Sequence, residues 1–136
     1  MYRKTMALSH RPARDGTLIE VAHVPAYLAL ELATEAWAGA LLEVSERVIT
    51  AANVMIVNIS SNFSRELLVG SVDVEVAVTR VGTSSLVLEV SIFQADIRSA
   101  VAAFTVVRVV DGAACPLTDA QRASIASLVS DQALQV

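Results

Sequence analysis

The residues of this chain able to do acid-base chemistry gather in its first third: Asp15, His23, Glu31 and Glu35, with Glu20 as a further candidate. Glu31 follows the apolar stretch Tyr27-Leu28-Ala29-Leu30, where desolvation would penalise the charged carboxylate and make it a more effective base. Glu35 lies four residues on, on the same helical face. The alternative reading joins both to Glu46 in a solvated stripe. Asp15 beside Gly16 is either a catalytic carboxylate or a turn-former that bonds its own backbone. His23 either orients a substrate at a helix entry or satisfies local backbone groups there. The sequence has no G-x-S-x-G elbow and no G-x-x-x-x-G-K-[ST] phosphate loop. His10 is the only other histidine, so no histidine cluster has metal-binding spacing. The single cysteine, Cys115, excludes an intrachain disulfide and a multi-cysteine metal site; with no histidine near it in sequence, it reads as structural.

Positioning these groups falls to one long helix. Pro25 suits a first helical position, where its missing N–H has no intrahelical partner anyway. From Ala26 to about Glu46 helix formers continue without a proline, Gly39 being the weakest. At 100° per residue Ala29, Ala33, Ala36, Trp37, Ala40, Leu41 and Val44 share one face. The opposite side carries Glu31, Thr34, Glu35, Ser45 and Glu46, mixed with Tyr27, Leu28, Ala38 and Leu42. A helix so apolar all round is expected to be mostly buried, its small residues pressed onto a flat sheet.

The sheet is read from the rest of the chain. After a first strand, Arg11 to Thr17, with Pro12 and Gly16, is a loop. Ile49 to Phe63 is rich in Val and Ile and ends in a polar alternation at Asn58, Ser60, Asn62 and Ser64. Gly70 opens a period of two, with Val72, Val74, Val76 and Val78 on one face. Val81-Gly82-Thr83-Ser84 is a hairpin turn in which Gly82 would supply a positive φ. Leu86, Leu88, Val90 and Ile92 return, and a turn near Ala95 to Arg98 leads to a last strand, Ser99 to Val110. Such short turns demand an antiparallel meander, because parallel neighbours need long crossovers. Thr118-Asp119-Ala120-Gln121 is a capping box that starts a short C-terminal helix to about Ser130, expected at the sheet edge and without chemistry.

Length and composition set the outer bounds. A chain of 136 residues is expected to form one α+β domain, 1–136, so any site lies on its core or between subunits. Apolar residues make up 54% of it, with a mean hydropathy of +0.58. That excess implies a second apolar surface buried against another copy, since a small domain has limited interior. It does not imply a membrane: the most apolar stretch of the helix, Ala36 to Leu42, is bounded by Glu35 and Glu43, far short of the roughly 20 residues a span needs. A net charge of −4 argues against a nucleic-acid binder. Arg3, Lys4, Arg11 and Arg14 precede the first acid, Asp15, without the apolar run of a secretory signal, so the cytoplasm is the expected location. These cations read as solvated charges or, as a second possibility, as help in holding a nucleotide phosphate.

A buried helix followed by an antiparallel meander resembles the hotdog fold, a helical sausage in a curled sheet. Three stretches carry a closer resemblance, to acyl-CoA thioesterases of the 4-hydroxybenzoyl-CoA thioesterase-like superfamily. His23-Val24-Pro25-Ala26-Tyr27-Leu28 is similar to that family's helix-entry motif, His-Val-Asn with a Tyr-Leu pair soon after. Asn62-Phe63-Ser64-Arg65, Val69-Gly70 and Arg80 to Ser85 resemble its sheet half, and Pro116-Leu117-Thr118 with Gln121-Arg122 its tail.

The resemblance implies hydrolysis of an acyl thioester of CoA or acyl carrier protein at a subunit interface of a homodimer or homotetramer, with no cofactor beyond the carrier. It implies a carboxylate either in the loop before the helix or about two turns inside it, acting with helix N-terminal amides. Glu31 is the helix-type candidate. Asp15 is the loop-type candidate only if two residues are inserted, because the family's position is occupied by Thr17. Pro25 replaces the family's asparagine and removes an amide from the site. Arg65, Gly82, Thr83, Ser84 and Ser85 are the implied CoA contacts. Two other readings use the same fold: a non-catalytic acyl-thioester-binding module, and a dehydratase, whose Asp-x4-His arrangement is missing here.

Overall fold

Four inward-facing valines on one strand and an alanine-rich helix face decide the architecture. The computed structural model describes residues 1–18, 21–46 and 48–135, with side chains through Ser130. Its elements run β1 (Tyr2–Leu8), α1 (Ala26–Val44), β2 (Val54–Phe63), β3 (Gly70–Val81), β4 (Ser85–Gln94), β5 (Ile97–Val110), β6 (Ala113–Ala114), α2 (Asp119–Ser124) and β7 (Val129–Gln135). The sheet order is β1-β3-β4-β5-β2, with β6 added to β5 and β7 to β3. The helix packs on β1, β3 and β4, the sausage-in-sheet layout of a hotdog fold.

Register explains the core. Val74, Val76 and Val78 pair with Ile92, Val90 and Leu88, and Leu88 and Val90 pair in turn with Phe104 and Ala102. All of these are buried, so the alternation places one continuous apolar layer on the inner face. Against it α1 lays Leu28, Ala29, Leu32, Ala33, Ala36, Trp37, Ala40 and Leu41, all buried. The alanines let the helix approach closely, and Trp37 meets Phe104 with ring centroids 5.9 Å apart in a tilted arrangement.

Several local details differ from the sequence expectation. Ser45 is buried rather than on the polar side: its hydroxyl donates back to the Leu41 carbonyl and accepts from the Ile49 N–H at 3.0 Å, closing the helix. The strand expected from Ile49 begins at Val54. Thr50 and Asn53 first cap a 3-10 turn over Ala51–Asn53, with the Asn53 side chain accepting from the Thr50 N–H at 3.1 Å. The turn after β4 consists of Ala95 and Asp96, both at positive φ (51° and 61°), as a two-residue hairpin requires. Gly82, by contrast, does not have a positive φ. It is needed for space, since a Cβ there would lie 2.5 Å from the Ser85 hydroxyl oxygen.

The tail is shorter as a helix and longer as a strand than expected. α2 ends at Ser124, a 3-10 turn covers Ala126–Leu128, and β7 then runs parallel to the end of β3. β1 occupies the β3 edge from Gly70 to Val76, and β7 occupies it from Val78 to Val81, so the two share one edge end to end. The other edge is different. Among the described residues β2 bonds only β5, and Met55, Ile56, Val57, Ile59 and Phe63 are each between 39% and 51% exposed. No helix among the described residues is long and apolar enough to cross a membrane.

Because Leu41 is fully enclosed between helix and sheet, Leu41→Ala should lower stability by about 2–5 kcal/mol, read from urea unfolding. A loss below about 1 kcal/mol would mean that the helix is not seated on the sheet as described.

Candidate active site

The helix entrance is stitched to the segment that joins β2 to β3. Val24 N–H donates to the Leu67 carbonyl at 2.8 Å, Val69 N–H to the Ala22 carbonyl at 2.9 Å, and His23 and Leu68 form an isolated antiparallel bridge. The Gln94 side chain grips Leu68 from the sheet, accepting from its N–H and donating to its carbonyl, both at 2.8 Å. Ser64 and Arg65 N–H groups both donate to the Ser99 carbonyl. These bonds frame a cleft of about 340 Å³ lined by Val24, Ala26, Phe63, Ser64, Arg65, Glu66 and Leu67.

The cleft opens on the start of α1. Pro25 is the N-cap, one position earlier than expected, and offers no side-chain cap; the first turn holds no acidic residue. Leu28 N–H donates to the Pro25 carbonyl at 3.1 Å, which leaves the Ala26 and Tyr27 amides as the donors of that turn, and the helix dipole adds about half a positive charge at this end. Beside them His23 Nδ1 lies 3.8 Å from Glu66 Oε1, with the two side chains 55% and 71% exposed. Helix N-terminal donors and a carboxylate thus share one small, partly apolar depression, with an imidazole beside the carboxylate. That set can polarise a carbonyl and take a proton from water.

The sequence candidates are distributed unevenly about this cleft. Arg65 lines it, and His23 lies beside its Glu66 wall. Glu31 is on the exposed side of α1, where Arg11 donates to both of its oxygens, Nε to Oε1 at 3.2 Å and Nη2 to Oε2. The hydrogen bond and charge of Glu31 hold the Arg11 guanidinium pKa above its ordinary value. The exposed ion pair replaces the desolvated setting expected for Glu31. Glu35 is exposed one turn further on, and Glu20 lies outside the described residues. Asp15 Oδ1 accepts from the Thr17 N–H at 2.9 Å, closing a local turn. Gly82, Thr83, Ser84 and Ser85 are at the opposite end of the sheet from Arg65, separated from it by the twelve-residue β3, about 36 Å.

Glu66 was missed by sequence reasoning. It follows Arg65 in a connecting segment whose pattern marks no function, and only the His23–Leu68 pairing brings it beside the histidine. Among the described residues no group of three or more His, Cys, Asp or Glu side chains is arranged to hold a metal.

Residues 20–101 match the family model of the thioesterase superfamily. Among solved structures, the chain is similar to a predicted thioesterase from Bacillus stearothermophilus (TM-score 0.76, 17% identity, 95% of this chain and 96% of that one). A thioesterase from Thermus thermophilus complexed with coenzyme A and Zn aligns with TM-score 0.73 and 22% identity over 87% of this chain and 95% of that one. A gentisyl-coenzyme A thioesterase aligns with TM-score 0.71 and 17% identity over 92% of this chain and 100% of that one. Among curated proteins no sequence match is found.

The Asp15 turn has a definite pH signature. The Thr17 N–H hydrogen bond holds the Asp15 carboxyl below its ordinary value, so its contribution is present above the unfolded pKa, about 3.9, and is lost as pH falls through the lower native one. Protection of the Thr17 amide from hydrogen exchange should fall on acidification in the wild type and persist in Asp15→Asn, whose amide oxygen still accepts. Equal, pH-independent protection in both would contradict the turn.

Proposed function

The chain belongs to the thioesterase superfamily, and on that premise we propose that it hydrolyses an acyl thioester at the entrance of α1. The observation that carries this reading is the helix N-terminus, without a side-chain cap, opening on a cleft lined by Glu66, whose carboxylate lies 3.8 Å from His23 outside the lining. The thioester oxygen would sit against the first-turn amides, which stabilise the negative charge developing on it. Glu66, with His23 beside it, takes a proton from water. The water oxygen bonds to the acyl carbon, the C–S bond breaks, and the leaving thiolate receives that proton. Phe63, Val24 and Leu67 supply apolar surface for the acyl group.

Glu66 takes the base role in this reading because it lines the cleft, whereas Glu31 is tied to Arg11 and Asp15 to Thr17. Glu31 keeps the place of the alternative base, and Glu35 that of a charge beside it. The relative complexed with coenzyme A favours CoA over acyl carrier protein as the carrier.

The reading also requires a second copy. β2 presents an unpaired edge with apolar side chains, a template for another strand. If two β2 strands pair antiparallel about a two-fold axis, the Phe63 end of one lies beside the Val54 end of the other. Since β5 sets Val54 opposite Arg108, and Ser84 accepts from the Arg108 N–H, the partner's 82–85 turn then comes to the end of the sheet that holds this cleft. Arg65 and that turn, far apart in one chain, become two sides of one site in a homodimer, with a homotetramer of such dimers equally compatible.

Non-catalytic binding is the second reading, favoured by Pro25 and by the exposure of both His23 and Glu66, and its signature is acyl-CoA bound without turnover. Release of free thiol from a panel of short, long and aromatic acyl-CoAs separates the two. Glu66→Gln and His23→Gln should each lower kcat by about 10²-fold or more, while Asp15→Asn and Glu31→Gln change it less than threefold. Loss of activity in Glu31→Gln alone would transfer the base role to the helix; no turnover with any substrate would reject the enzyme reading.

A further inference from the structure

The C-terminal segment clamps the β3–β4 turn. Its anchor is built from Leu117, Ile125 and Leu128, all buried, and from the Thr118–Gln121 capping box, in which Thr118 Oγ1 accepts from the Gln121 N–H at 3.0 Å and Gln121 Oε1 accepts from the Thr118 N–H at 2.9 Å. From α2, held this way, Arg122 reaches across the turn. Its Nη2 donates to the Gly82 carbonyl at 2.8 Å and to the Thr83 carbonyl at 3.2 Å. Leu117 N–H donates to the same Thr83 carbonyl at 2.8 Å, and Arg108 N–H to the Ser84 carbonyl at 2.8 Å.

The electrostatic consequence follows from the direction of these bonds. All three turn carbonyls are committed to the body of the protein. Among the described residues no hydrogen bond occupies the N–H groups or hydroxyls of Thr83 and Ser84. The negative ends of the peptide dipoles are therefore tied inward, those of Gly82 and Thr83 to the Arg122 guanidinium and that of Ser84 to a backbone N–H, leaving donors on the outer side. Arg122 holds the turn through its guanidinium and Arg108 through its backbone N–H, the Arg108 guanidinium being bonded to the Pro116 carbonyl, and Arg80, exposed, stands just before the turn. In a chain of net charge −4 three arginines, Arg80, Arg108 and Arg122, are thus set about this turn, against one acid, Asp119, on α2. Successive free backbone donors with positive charge behind them suit a phosphate.

We propose that Arg122 is a positioning residue for the phosphate-bearing part of the carrier: by holding the carbonyls of Gly82 and Thr83 inward, it keeps the Thr83 and Ser84 donors turned toward the anion. This rests on the reading of the protein as one that takes acyl-CoA, and it assigns a role to a residue that itself touches no reacting atom. Removing the clamp frees the peptide units to rotate and present carbonyl oxygens to the phosphate, which repels it. The acyl end, held at the partner's helix entrance, is unaffected.

The test compares substrates with and without the nucleotide. Arg122→Gln should raise KM for acyl-CoA about tenfold with kcat within twofold, and leave KM for the matching acyl-pantetheine unchanged. Arg122→Lys, which keeps the charge and can still donate to a carbonyl, should recover most of the loss. Calorimetric Kd values for free CoA decide the same question without turnover: weaker CoA binding by Arg122→Gln at unchanged Tm supports the clamp even if the wild type hydrolyses nothing, an outcome that would reject only the hydrolase reading. Equal changes in KM for acyl-CoA and acyl-pantetheine, or CoA binding identical in wild type and both variants, would overturn the proposal.

Discussion

One edge of β2 is bonded to β5 and the other faces solvent, and the main consequences for this molecule follow from that asymmetry. Along this ten-residue strand the outer backbone donors and acceptors are a template for any other strand, and the half-exposed Met55, Ile56, Val57, Ile59 and Phe63 are apolar surface that is costly to leave against water. The opposite edge has been dealt with inside the chain, where β1 and β7 together cover β3 from Gly70 to Val81. A fold that protects one edge by spending two strands on it and leaves the other apolar suits the self-association proposed above. The direction of β2 then determines which ends of the two protomers meet.

That geometry gives meaning to the separation of the two functional ends. The entrance of α1, with His23, Arg65 and Glu66, lies where β2 finishes; the clamped turn, with its outward donors, lies where β2 begins. Neither end is a complete thioester site. In the proposed reading the helix end supplies charge stabilisation and a base in a shallow cleft, and the turn supplies anion recognition. In the proposed dimer, antiparallel β2 pairing would join one of each, twice, about the same axis. The alanine face of α1 serves this arrangement by fixing how deeply the helix sits, and therefore where its first-turn amides lie relative to Phe63 and Leu67.

The large elements were legible in the sequence because their signals are local. Period-two valines in β3 and a proline-to-serine run of helix formers state their structure without reference to the rest of the chain, and the helix ends at Val44, two residues before the expected Glu46. Errors fall where a distant contact decides. Ser45 looked polar and is buried because Ile49 returns to it; Gly82 looked like a positive-φ residue and is instead a space requirement set by Ser85. The same cause explains the site. Glu66 carries no signal until His23 pairs with Leu68, and Glu31 looked desolvated because Arg11, twenty residues away, was read as a solvated charge. Arg122 sat in a tail read as having no chemistry, since nothing in its neighbourhood shows that Gly82 and Thr83 lie beneath it.

Complementation between defective protomers measures the composite site directly. Glu66→Gln and Ser84→Glu, the second placing a negative charge where the carrier phosphate would bind, are each purified, then mixed, dissociated and reassociated. If each site takes its base from one protomer and its turn from the other, half of the sites in a mixed dimer carry neither defect, and acyl-CoA hydrolysis returns to a substantial fraction of the wild-type rate. A mixture no more active than the average of its parents would show that each protomer works alone, and the account of β2 as the element that assembles the site would be wrong.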